Sequence, residues 1–149
     1  MQTTREFAPA RTKDKKRKTQ ATAQVLARHA VDAALAKKAT DIVVLDMRAV
    51  SGVADYFVIC NGESDLQVKA IYEAIEDAIK AACDERPWHR EGQEHRQWVL
   101  LDYVDLVVHI FSPEKRAFYD LERLWGDAPF EQVAPEASSA ADIQLLQES

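Results

Sequence analysis

The chain has 149 residues, 47% hydrophobic and 30% charged, enough to bury one ordinary core without disulfides or metals. Its net charge of -6 is unevenly spread: residues 1–30 carry eight Lys or Arg against Glu6 and Asp14, a net +6, whereas residues 31–149 carry eleven against 23 acids, a net -12. A body that acidic repels nucleic acid and favours a basic protein partner, of which ribosomal proteins are one abundant class.

Residues 1–20 hold Pro9, the run KDKKRK at 13–18 and almost no large apolar side chain. They cannot bury enough surface to offset the entropy of ordering, so a disordered basic tail is expected. Its readings are a solvated arm, an arm that touches RNA phosphates when a partner brings it close, or a cleaved presequence. Thr19 or Thr22 then caps a helix to about Lys38, with Val25, Leu26, Ala30, Ala33 and Ala34 on one side. DIVVLDM (41–47) fits a strand covered on both faces, and a second apolar run, 56–60, ends at Asn61-Gly62. Ser64 with Gln67 three residues on makes a capping-box pattern, followed by Val68, Ile71, Tyr72, Ile75, Ala78, Ile79 and Ala82 at helical spacing, a helix expected to pack on a sheet.

Pro87 and Trp88 suit a short edge strand over 86–90, and 91–96 a polar loop. Residues 98–101 and 106–111 form the last strand pair, an antiparallel hairpin across 102–105. Ser112 and Pro113 start a final helix through Tyr119, extended or kinked toward Trp125. Residues 21–128 thus read as one α/β domain with a mixed β-sheet and flanking helices, in the order α-β-β-α-β-β-β-α. Residues 129–149, with Pro135, Ser138, Ser139 and alanines, are expected to be a loosely ordered extension with a short turn near 143–146.

Chemistry is hard to assemble from these residues. Cys60 and Cys83 are far apart, each within an apolar segment, and are expected to be reduced structural thiols. None of His29, His89, His95 and His109 stands four residues from another on a helix; a surface metal site of His89, His95, Glu91 and Glu94 is outweighed by the absence of ligand spacing. His109, mid-strand, reads as a hydrogen-bonded structural or interface histidine. The four glycines are isolated, so no phosphate-cradling loop forms, and no Asp-x-Asp occurs to clamp a metal for nucleotidyl transfer. Neither Ser51 nor Ser64 has a partnered base. No catalytic residue, cofactor or metal is expected, and with no apolar run resembling a signal peptide or long enough to span a bilayer, the expected compartment is the cytoplasm.

The run 97–125 instead reads as a binding surface, with Asp102 and Asp105 at the turn and Trp98, Tyr103, Phe118, Tyr119 and Trp125 as large rings. Taken with DIVVLDM (41–47), ADYFVICNGES (54–64), the Glu91-Gly92 pair, WVLLDYVDLVVHIF (98–111) and RAFYDLERLW (116–125), the chain resembles the ribosomal silencing factor family, also called Iojap-like, over roughly 25–128. The resemblance implies an α/β fold of nucleotidyltransferase-like topology without the catalytic carboxylates. It also implies a translation repressor that binds large-subunit ribosomal protein fourteen and sterically blocks joining of the small subunit under nutrient limitation, some members being homodimers. The family's interface falls on Trp98, Leu100, Leu101, Asp102, Tyr103 and Asp105; Phe118, Tyr119, Leu121 and Trp125 read as helix-on-sheet packing. Where the family commonly has glycine this chain has Val104, and because β-branched residues resist positive φ, a different turn type is expected. The alternatives are a nucleotidyltransferase-like enzyme using Asp102, Asp105 and a divalent cation, and a dimeric interaction module.

Overall fold

The structure, a computed structural model, describes residues 21–50 and 52–147. In chain order the elements are α1 (Ala23–Ala36), β1 (Thr40–Asp46), β2 (Tyr56–Asn61), α2 (Asp65–Cys83), β3 (His89–Glu91), β4 (Trp98–Asp102), β5 (Leu106–Phe111), α3 (Pro113–Tyr119), α4 (Leu121–Leu124), β6 (Phe130–Gln132) and a 3₁₀ turn (Gln144–Leu146). The strands form one mixed sheet in the order β3-β4-β5-β2-β1-β6. Only the central β2–β5 pair is parallel. That is the expected α/β class with flanking helices.

Local chemistry sets the element ends. Thr22, not Thr19, caps α1, its hydroxyl accepting the Val25 N–H at 3.2 Å. The helix stops at Ala36, short of Lys38, because Lys38 turns to φ +64°. Ser64 accepts the Gln67 N–H at 3.1 Å. The Gln67 amide in turn accepts the Glu63 N–H and donates to the Lys37 and Lys38 carbonyls, which satisfies the open C-terminal end of α1 from the first turn of α2.

The alternation of strand residues divides the interior into two layers. On one side Ile42, Val44, Tyr56, Val58, Cys60, Val99, Leu101, Tyr103, Val108 and Ile110 meet α1 and α2. Small residues at Ala23, Ala27, Ala30 and Ala34 let α1 lie close to that layer. On the other side Val43, Leu45, Phe57, Ile59, Trp98, Leu100, Val107 and Phe111 are covered by Leu121 and Ala128, with Tyr119 and Trp125 packed against them.

The C-terminal segment differs from the expectation of loose order. Phe130–Gln132 pairs with β1 at the sheet edge. Beyond it Val133, Ala140, Ile143 and Leu146 are buried in the helix-side layer. Polar contacts hold it: Arg28 donates to the Leu146 carbonyl, Asp32 accepts the Ala140 N–H at 2.7 Å, Glu131 accepts the Gln144 and Leu145 N–H groups, and Tyr56 donates its hydroxyl to the Leu145 carbonyl. Its apolar residues are spaced too irregularly to show a helix or strand period, so only the tertiary partners reveal the order. The expected tail, 1–20, lies outside the described residues.

Candidate partner-binding site

The hairpin between β4 and β5 is locked by its own backbone. Asp102 accepts the Val104 N–H on its Oδ1 at 2.8 Å, and the Tyr103 N–H donates to the Leu106 carbonyl at 2.7 Å. The Asp105 carbonyl accepts from the N–H groups of Asp55 and Tyr56, tying the turn to the start of β2. Val104 sits at φ +78°, so the turn takes the left-handed conformation despite the β-branched side chain, against the expectation of a different turn. The side chain is buried, and that burial offsets the strain. Val104→Gly is therefore expected to cost less stability than Val104→Ala, by about 1 kcal/mol, because both lose the buried methyls and only glycine relieves the backbone. Thermal melts of the two variants check this; equal or reversed costs would show an unstrained turn.

The six residues predicted as an interface are brought together but not laid on one surface. Trp98 and Leu100 project to the α3 side, Leu101 and Tyr103 to the α1–α2 side. Leu100 and Leu101 are fully buried, and Trp98, Asp102, Tyr103 and Asp105 are 9% exposed or less. Alternation along β4 sends successive side chains into two different cores. Asp102 already serves the turn, and among the described residues no group of three or more His, Cys, Asp or Glu is placed to hold a metal.

Trp98 is the pivot of an aromatic cluster. Its Nε1–H donates to Nδ1 of His109 at 3.1 Å. Its ring lies 4.8 Å from Phe111 and 4.4 Å from Tyr119, centroid to centroid. Burial, with the Arg116 charge acting the same way, pushes the His109 imidazole down to about 3, so it is a neutral acceptor here. Neither Cys60 nor Cys83 is in a disulfide, and burial pushes Cys60 up to about 12, which leaves it unreactive.

Sequence reasoning missed the surface beside this cluster. Gly92, His95, Gln97, Trp98, Lys115 and Tyr119 line a groove of about 170 Å³. Gly92 has φ +89°, and a Cβ there would stand 2.0 Å from the Trp98 carbonyl oxygen, so only glycine lets the 92–97 loop close on β4. Phe118, read as core, is 74% exposed at the groove's side, its ring edge-on to Tyr119 at 5.0 Å and covered by Lys115. Leu121 is buried and Trp125 packs edge-on to Phe57, as expected for helix-on-sheet contacts. No sequence signal marked Phe118: a left-handed Asp120 ends α3 after seven residues, none of them buried, which is too short a helix to show a period.

The family model described as ribosomal silencing factor during starvation matches residues 19–147. The chain belongs to that family. The match takes in the C-terminal segment, which the shorter resemblance over 25–128 had left out. A ribosomal silencing factor of Bacillus subtilis is 49% identical over 96 residues, 62% of this chain and 78% of that protein. A crystal structure from Chromobacterium violaceum superposes with a TM-score of 0.69 at 30% identity, over 80% of this chain and 97% of that one. A more distant relative from Mus musculus, named for mitochondrial assembly of the ribosomal large subunit, is 32% identical over 91 residues, 60% of this chain and 40% of that protein. The bacterial relatives of this silencing-factor family carry the name of a regulator rather than of an enzyme.

Proposed function

We propose that this chain represses translation by docking on the large ribosomal subunit through large-subunit ribosomal protein fourteen, where its bulk keeps the small subunit from joining when nutrients are scarce. It acts in the cytoplasm, by occlusion, without catalysis or a cofactor. The observation that carries the reading is the groove on Trp98 with Phe118 exposed beside it, in a chain of this family. A large, mostly exposed apolar ring next to an aromatic-floored recess is the arrangement of an interface anchor and its socket. The acidic body supports a basic partner, and the name of the mouse relative supports the large subunit. In this reading Trp98 forms the floor of the contact, while Leu100, Leu101, Asp102, Tyr103 and Asp105 hold the hairpin that presents it. The basic arm, 1–20, adds contacts to ribosomal RNA phosphates, and in the absence of subunits the same apolar surface supports a homodimer.

Phe118→Ala separates contact from fold. Its stability is expected within about 0.5 kcal/mol of the parent, as for an exposed site. Its co-sedimentation with large subunits is expected to weaken by about tenfold or more, as for an anchor worth at least 1.4 kcal/mol. The test of the function itself is a joining assay with purified subunits: the chain in excess is expected to deplete the joined particle in a sucrose gradient. Undiminished joining sinks the reading.

A further inference from the structure

The helix that carries Phe118 is held by few apolar contacts. None of the seven residues of α3 is buried, and a helix that short is not stable without tertiary fastening. Its start is fixed by Ser112, whose N–H donates to the Gln97 carbonyl at 2.9 Å and whose hydroxyl accepts the Lys115 N–H at 3.3 Å. Its end lies at Asp120, which turns to φ +48° and sends the chain directly into α4. Between these ends Tyr119 leans on Trp98, and Arg116 reaches inward.

Arg116 commits every nitrogen of its guanidinium. Nε and Nη2 donate to the Glu122 carboxylate, at 3.1 and 2.7 Å, across the reversal at Asp120. Nη1 donates to Asn61 Oδ1 at 2.8 Å. Asn61 is the last residue of β2 and is buried, and its Nδ2 carries the run of hydrogen bonds on to Asp41 at 3.3 Å. A donor on one side and a carboxylate on the other fix which way that amide points. The Arg116 side chain is 11% exposed and meets Glu122 side-on through two nitrogens, so the bridge is stronger than a surface ion pair, which solvent and salt screen. One guanidinium thus ties the helix after β5 to the end of β2, the parallel neighbour of β5, and to α4.

We propose that Arg116 is a positioning residue for partner docking, a role that rests on the docking reading above: bridging Asn61 and Glu122, it fixes the rotation of α3 that holds Phe118 outward beside the Trp98 groove. Two residues of helix turn through about 200°, so an arginine pinned to the end of the sheet sets Phe118 on the opposite side. Tyr119, three residues on, comes back round to Trp98. An anchor that must be ordered at the moment of binding loses affinity to the entropy of ordering it, and a bridge that orders α3 beforehand removes that cost. Arginine suits the task, because the point charge of a lysine cannot make the side-on fork to Glu122 and reach Asn61 at once.

Amide hydrogen exchange of the free full chain and its co-sedimentation with large subunits together test the role. In Arg116→Met the amides of residues 116–119 are expected to exchange about tenfold faster than in the parent, and to change more than those of α2, because α3 opens locally. The same variant is expected to bind large subunits about fivefold more weakly. In a Phe118→Ala background the further loss is expected to stay below about twofold, since the ring that Arg116 positions is already gone. An arginine that only stabilised the fold would weaken both backgrounds alike. Glu122→Gln, which leaves Arg116 on Asn61, is expected to move exchange and binding the same way by about threefold, so the outcome does not hang on the folding of Arg116→Met. Unchanged exchange in both variants, parent-like binding by Arg116→Met, or equal losses in the two backgrounds overturns the positioning role while Phe118→Ala still reports docking. A parent chain that does not co-sediment overturns docking itself, and the positioning role with it.

Discussion

Purified Trp98→Ala is expected to melt more than about 10 °C below the parent chain, a loss of roughly 3–5 kcal/mol for a buried indole. The indole is 5% exposed and contacts Phe111, Tyr119 and His109. Removing it opens a cavity between β4 and α3 and withdraws the donor from Nδ1 of His109, leaving a buried acceptor without the indole N–H. Thermal circular dichroism reads the loss; a melting point within a few degrees of the parent would mean that α3 collapses onto the sheet and fills the space. Loss of ribosome binding in this variant would then report on folding as much as on contact. Trp98→Phe, which keeps a ring on Phe111 but not the N–H, and Phe118→Ala, which touches neither core, carry the functional question instead.

The same burial explains what was legible in the residues. DIVVLDM and WVLLD announced strands through unbroken apolar runs, and both proved to be covered on two faces. Ser64, Gln67, Ser112 and Pro113 announced helix starts because capping is a local chemistry of side-chain oxygen and backbone N–H. Burial itself was less visible. Aromatic rings and carboxylates at a turn mean either an interface or a core whose polar groups are satisfied locally, and Asp102, bonded to the Val104 N–H, shows the second case. Phe118 went the other way, since one phenylalanine in a seven-residue helix has no period to report its direction. The order of 129–147 was hidden because its partners outside the segment, Arg28, Asp32 and Tyr56, stand 118, 108 and 89 positions away.

Acid is expected to weaken the fold through His109 more steeply than carboxylates alone would. In the unfolded chain the imidazole titrates near 6.5, whereas in the fold it is held neutral down to about 3 by burial and by the Arg116 charge. Between those values the unfolded state binds a proton that the folded state does not, so stability is intact above pH 6.5 and declines as pH falls. The decline is about 1.4 kcal/mol per pH unit, or about 2 kcal/mol between pH 7 and 5. Other groups titrate in acid too, Asp46 among them, whose carboxyl the Arg48 guanidinium holds below the usual range and whose contribution is lost at still lower pH. His109→Gln isolates the imidazole, because a side-chain carbonyl can accept from the Trp98 N–H and does not titrate, while every other group is shared with the parent. Denaturant melts of the two chains from pH 7 to 5 are expected to diverge by that 2 kcal/mol, the parent falling faster. Parallel curves would mean that His109 takes up its proton inside the fold, and that burial does not hold the ring neutral.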